Sequence, residues 1–172
     1  MFLLKDLPTP ATARRFAEEY GPIDIAALTL FLTALRCGSD LLTELDRLLA
    51  RHGLSHGRWI TLVLLMREPD RRARPKDLAL KQGITRATMT GLLQSLEADG
   101  LVTRRAEPDD GRGSVVVLTR KGHGLLRKIM PDYYARVGRL SEGLSGRDVA
   151  AATKVLRALM QRAETLSGET RH

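Results

Sequence analysis

The chain has 172 residues, enough for one compact domain or two small lobes around a real core. Hydrophobic residues make up 43% and charged residues 28%, a globular balance, and aromatics at only 4% favour helices over a sandwich or barrel. A formal net charge of +8 points to a polyanionic partner, nucleic acid before membrane, with a merely solubilising basic surface as the alternative. Cys37 is the only cysteine, which excludes an intramolecular disulfide framework and suits a reducing cytoplasm. The N-terminus lacks the pattern of a signal peptide. The longest apolar candidate, Ile23 to Leu35, carries Asp24, is followed by Arg36, and falls short of the ~18 uncharged residues of a membrane helix. The expectation is a cytoplasmic chain with no membrane partner.

Residues 1–22 read as an N-terminal extension punctuated by Pro8, Pro10 and Pro22. Thr9 before Pro10 predicts a capped short helix to about Tyr20, ended by Gly21-Pro22. Asp24 can cap a long helix to about Arg51, because Leu28, Phe31, Leu32, Leu35, Leu42, Leu45, Leu48 and Leu49 recur at helical spacing. Gly38-Ser39 is the place for a bend. Gly53 closes that helix, and Ser55 caps a shorter one carrying Trp59, Leu62, Val63, Leu65 and Met66, which Pro69 ends. Pro75 opens a two-turn helix over 75–81 with Leu78 and Ala79 inward. Gln82-Gly83-Ile84 is a tight turn, Thr85 caps a helix over 85–99, and Gly100 stops it.

After Gly100 the period changes. Residues 101–105 and 114–118 are β-prone runs around the turn-rich segment Glu107 to Gly113, which reads as a hairpin with a long charged tip. Thr119 caps the next helix, which Pro131 should kink or restart. Ser145-Gly146-Arg147-Asp148 resembles a capping box with Asp in place of Glu. It opens a last helix to about Leu166, with Val149, Ala152, Val155, Leu156 and Leu159 on one face.

Helix, tight turn, helix and hairpin over 75–118 suit a helix-turn-helix whose second helix enters a major groove. From Thr85 to Ser95 there is no Asp or Glu, whereas an ordinary surface helix mixes both signs. Arg86 and Gln94 are the residue types that read guanine and adenine, with contact to phosphate or water alone as the alternative. Thr85, Thr88 and Thr90 can donate to phosphates, though Thr85 can equally serve only as a cap. Ala87 belongs to the apolar set with Met89, Leu92, Leu93 and Leu96, most of which should face inward. Ala87 and Gly91 are also small enough for a groove about 12 Å wide. Lys76 joins the candidate contacts from the first helix. Arg104, Arg105 and Arg112 suit a wing lying on the negative minor groove. Asp109 or Asp110 is expected to hold Arg112 or the loop in shape, a solvated charged loop being the bland alternative. Arg120 and Lys121 follow as candidate phosphate contacts.

Other signals are weaker. Gly122-His123-Gly124 lacks the third glycine of a dinucleotide loop, since Arg127 stands there. His52 and His56 are separated by a helix break, so a metal site is disfavoured. His52, Trp59 and Met66 are candidates to line a ligand pocket, with plain core as the alternative. Cys37 reads as a small buried hydrophobe before a redox sensor. No catalytic constellation stands at a convincing spacing, so the chain reads as no enzyme, with no cofactor and no metal.

As a set, the stretch Leu54 to Gly122 resembles the MarR family of winged-helix transcription regulators. The residues that carry the resemblance are Leu54-Ser55 with Trp59, Pro75 to Ala79, Ile84 to Thr90, Leu96 to Val102 with Arg104, Pro108 to Arg112, and Val115 to Gly122. The wing departs from the family's common Asp-Arg-Arg, reading Asp110-Gly111-Arg112. The resemblance implies a homodimer built from the terminal helices, often a repressor released by a small ligand or by thiol oxidation. The expected fold is mainly α, of the α+β class. A winged helix-turn-helix over 55–119 stands between the two parts, 23–54 and 120–168, of a helical dimerisation region. The expected partners are double-stranded DNA with a pseudo-palindromic site, a second copy of the chain, and a small-molecule effector. A winged-helix module that meets protein rather than DNA is the rival reading.

Overall fold

In the computed structural model the described residues are 4–107 and 110–169, the side chains of 107, 110–113 and 168–169 excepted. Seven helices are described: α1 (Pro10–Tyr20), α2 (Ile25–Ala50), α3 (His56–Arg67), α4 (Pro75–Gln82), α5 (Arg86–Ala98), α6 (Arg120–Leu140) and α7 (Gly146–Glu169). Three strands accompany them: β1 (Arg72–Ala73), β2 (Val102–Glu107) and β3 (Asp110–Leu118). The chain divides into two units, one of Met1–Leu42 with Gly138–His172, the other of Thr43–Val137.

In the first unit the helices start where their caps predict. The Thr9 hydroxyl accepts from the Thr12 N–H at 3.2 Å, and Asp24 Oδ1 accepts from the N–H groups of Ala26 and Ala27 at 2.9 and 3.1 Å. The capping box closes fully: the N–H and hydroxyl of Ser145 donate to Asp148 Oδ2, and the Asp148 N–H donates to the Ser145 hydroxyl. The bonds from the Ser145 hydroxyl and, to a lesser extent, from its N–H hold the Asp148 carboxyl below the usual aspartate range. No break falls at Gly38-Ser39.

One expectation needs correction in this unit. Cys37 is exposed, because it lies on a face of α2 that the chain leaves uncovered. By length and composition α2 is apolar enough to cross a membrane, since Arg36 and Asp40 are the only charges over 25–42. Those two charges pair at 2.7 Å. Leu30, Phe31, Leu35, Leu41 and Leu42 of α2 are exposed, as are Val149, Val155, Leu156 and Met160 of α7.

The second unit holds the core: Leu49, Trp59, Leu62, Leu65, Leu78, Met89, Leu93, Leu96, Val102, Val116, Leu126 and Ile129 among others. It draws residues from α2 to α6 and from β2 and β3, with Ala73 of β1 packed against it, which fastens the two short helices α4 and α5 that could not stand alone. After α3 a 3₁₀ turn, Pro69–Arg71, carries two non-glycine residues with positive φ, Asp70 at 56° and Arg71 at 53°. It delivers β1, which the sequence reading did not predict, to the sheet. The strand order is β1-β3-β2, all antiparallel. The hairpin strands run further into the charged segment than predicted, with Glu107 opposite Asp110. Pro131 does not end α6, which continues to Leu140.

Candidate nucleic-acid interface

The α4–turn–α5 pair is set by both apolar and polar contacts. Leu78 and Ala79 from α4 and Met89, Leu93 and Leu96 from α5 are buried. Gly83 takes the left-handed conformation the turn requires (φ 69°), and the Ile84 N–H returns to the Ala79 carbonyl at 3.1 Å. Beneath the turn, the fully buried Thr61 hydroxyl lies 2.9 Å from both the Gly57 carbonyl and Gln82 Oε1, and Gln82 Nε2 donates to the Gly57 carbonyl at 3.1 Å. Gly57 also gives Leu92 its seat, since a Cβ there would come within 3.2 Å of Leu92 Cδ2. Thr61 and Gln82 were missed from the sequence; a Thr on an apolar helix face was the only signal.

This anchoring leaves one face of α5 outward. Lys76, Thr85, Arg86, Ala87, Thr88, Thr90, Gly91 and Gln94 are all exposed. Ala87 is thus the apolar-set member that does not face inward. Thr85 caps α5, accepting from the Thr88 N–H at 3.1 Å, and the two hydroxyls share a bond of 2.8 Å. The Thr90 hydroxyl donates to the Arg86 carbonyl at 2.9 Å, so its single proton is engaged within the helix. Among the described residues, no carboxylate forms an ion pair with Lys76, Arg86 or Arg105.

The sheet register separates the two wing arginines. Arg104 stands opposite the fully buried Val116, so its side chain starts on the core-facing side. There Glu97 of α5 accepts from its N–H at 3.0 Å and lies 3.5 Å from its Nε. Arg105 stands on the other face, exposed and without such a partner among the described residues. The Arg112 side chain and the expected role of Asp109 or Asp110 lie outside the described residues. Lys121 is also engaged: its Nζ donates to the Asp99 carbonyl at 2.7 Å, at the C-terminal end of α5.

His52 and Trp59 converge on neighbouring positions of α6. His52, with a side chain 12% exposed, has Nε2 3.9 Å from an Asp132 carboxylate oxygen. The Trp59 ring centroid lies 5.7 Å from that of Tyr133. Trp59 belongs to the core, and Met66, two turns along α3, is exposed. His56 faces a different carboxylate, Asp46, at 4.0 Å.

A helical core with an α4–turn–α5 pair and a β1-β3-β2 wing defines a winged helix-turn-helix protein. Known proteins narrow that class. The MarR family model matches residues 52–113. The chain is 33% identical over 159 residues to the HTH-type transcriptional repressor YetL of Bacillus subtilis (strain 168), covering 92% of this chain and 95% of that protein. It superposes on Sco3205, a MarR family regulator from Streptomyces coelicolor solved in complex with DNA, with a TM-score of 0.75. That pair is 27% identical over 81% of this chain and 89% of the other. CouR from Rhodococcus jostii RHA1, solved with p-coumaroyl-CoA, gives a TM-score of 0.65 at 25% identity over 79% and 92%. The chain belongs to the MarR family, a family of transcriptional regulators rather than an enzyme class.

Proposed function

We propose that the chain is a cytoplasmic homodimeric repressor that binds a pseudo-palindromic operator through helix 85–99 and wing 101–118. The observation that carries this reading is the outward face of α5, free of acidic side chains from Thr85 to Ser95 and flanked by Lys76, Arg86 and Arg105, which have no ion-pair partner among the described residues. A cationic, small-residue face of this kind suits a polyanionic groove. The register favours Arg105 over Arg104 as the wing cation that reaches phosphate. Two such helices, one from each copy, would sit about 34–36 Å apart in successive major grooves.

The helical segments 23–54 and 120–168 are the proposed dimerisation region, with 1–22 as an extension. The exposed leucines and Phe31 of α2, and Val155, Leu156 and Met160 of α7, support it, since that many large apolar side chains left exposed on two helices suit an interface. A second copy suits α2 better than a bilayer because Arg36 and Asp40 interrupt it. An effector is a further proposal, resting on CouR, and His52, Trp59 and Met66 are the residues proposed to border it.

Gly91 supplies a prediction with two opposite signs. It lies mid-helix, and nothing stands within 4 Å of a Cβ built there, so the protein itself has no steric need for glycine. Gly91→Ala should raise stability by about 0.5–1 kcal/mol, read from a denaturation midpoint. The same change should weaken DNA binding, because a methyl group would stand between α5 and the groove. Gain in both properties would remove Gly91 from the interface.

The test of the whole reading is a titration against duplex DNA upstream of the chain's own gene at several salt concentrations. Saturable binding of two chains per site, footprinted on a pseudo-palindrome and weakening steeply with salt, is the expected result. Binding that is weak and indifferent to sequence on every fragment of the genome would instead favour a protein-binding module.

A further inference from the structure

The C-terminal end of α5 is held by a residue no motif singled out. Arg58 lies in the first turn of α3, with a side chain only 14% exposed. Its Nη1 donates to the Gly53 carbonyl at 3.1 Å, and its Nη2 donates to the carboxylate of Asp99. Asp99 is the C-cap residue of α5, and its main-chain carbonyl accepts from Lys121 Nζ. One residue therefore ties the end of α5 to the start of α3 through its side chain and to the start of α6 through its main chain. The Nε of Arg58 is buried with no hydrogen-bond partner among the described residues. Burying a cation with an unfilled donor is an expensive way to gain stability, and its better-attested use is to fix one geometry among several.

We propose that Arg58 is a positioning residue for DNA recognition: through Asp99 it sets the tilt of α5, and so the place where Arg86 and Gln94 meet the bases. The inference rests on the reading of α5 as the DNA-facing helix. The leverage follows from length. From Arg86 to Ala98 the helix runs about 18 Å, so a tilt of about 5° at Asp99 moves the far end by about 1.6 Å. A hydrogen bond to a base edge does not survive such a shift. Neither Arg58 nor Asp99 need touch DNA for this to operate.

The test compares the wild-type chain with Arg58→Ala, Arg58→Lys and Asp99→Asn on two duplexes at several salt concentrations, with thermal melts alongside. One duplex spans the footprinted upstream site, and the other is a shuffled sequence of equal length and composition. Arg58→Ala should lose roughly tenfold or more on the footprinted site, the worth of one mispaired base contact. Its affinity for the shuffled duplex, and the salt dependence there, should stay as in wild type. Arg58→Lys should restore part of the loss, and Arg58→Ala combined with Asp99→Asn should bind no worse than Arg58→Ala alone. If Arg58→Ala melts too early to titrate, Asp99→Asn carries the same expectation, since that aspartate side chain is 53% exposed.

Three results would overturn the proposal. Equal loss on both duplexes is the mark of a lowered folded fraction. A flatter salt dependence is the mark of a lost phosphate contact. Unchanged affinity for the footprinted site would show that the tilt does not depend on Arg58. A wild-type chain with no preference between the duplexes would overturn the DNA reading itself, and the unmutated control reports that separately.

Discussion

Replacing Gly122 with alanine is expected to cost about 3 kcal/mol of stability, at the severe end of overpacking changes. A Cβ at Gly122 would stand 2.2 Å from the Leu101 carbonyl oxygen and 2.8 Å from Leu118 Cδ1. The leucine side chain can swing away. The carbonyl cannot do so freely, because it accepts from the Thr119 N–H at 3.1 Å and lies 3.0 Å from the Thr119 hydroxyl. That hydroxyl in turn accepts from the Gly122 N–H at 3.0 Å, capping α6. Moving any member of this set disturbs the base of the wing and the start of α6 together. A chemical denaturation midpoint checks the expectation, with Gly124→Ala as control, since nothing lies within 4 Å of a Cβ there. The control should match wild type or gain up to about 1 kcal/mol. A Gly122→Ala chain as stable as wild type would mean the two backbones are not this close. The glycine pair that weakly suggested a dinucleotide loop is thus explained, at its first position, by packing.

The largest effect on function is expected at Arg86. Arg86→Ala should weaken operator binding by about 1–3 kcal/mol, roughly 5- to 150-fold, if the side chain reads a guanine. Folding should change little, by about 0.5 kcal/mol or less, because the residue is exposed and forms no ion pair among the described residues. Titration against single-base operator variants separates the two possible contacts. A base reader loses discrimination at one position and keeps its salt dependence. A phosphate contact loses affinity on every sequence alike and lowers the salt slope by about one. Undiminished binding by a folded variant would mean that this face of α5 does not meet DNA, and would favour the protein-binding module.

Much of the architecture was legible in residue order because local signals act over a few residues. Thr9, Asp24, Ser55, Thr85, Thr119 and Ser145 each cap the helix expected of them. Gly53, Gly83 and Gly100 have the positive φ that ends a helix. β1 escaped because two residues between arginines carry no period, and only β3 makes them a strand. Pro131 sits inside α6, which runs on to Leu140, because its lost hydrogen bond weighs less than the burial of Leu126 and Ile129 before it. Cys37 misled because burial depends on which helix face is covered, which spacing alone does not reveal.

The site divides along the same line. Residue types and their spacing determined that α5 would present a face without acids and that a basic hairpin would follow it. Which cations stay free was decided only in three dimensions. Arg104 and Lys121 looked equivalent to Arg105 in the sequence, yet Glu97 and the Asp99 carbonyl engage the first two. Arg58, Thr61 and Gln82 carried no motif, and their importance arises from partners 21 to 41 positions away. A capping hydroxyl meets a donor three residues on, so sequence by itself determines it. An ion pair across 41 positions exists only once the core has brought α3 and the end of α5 together, and that belongs to the tertiary structure.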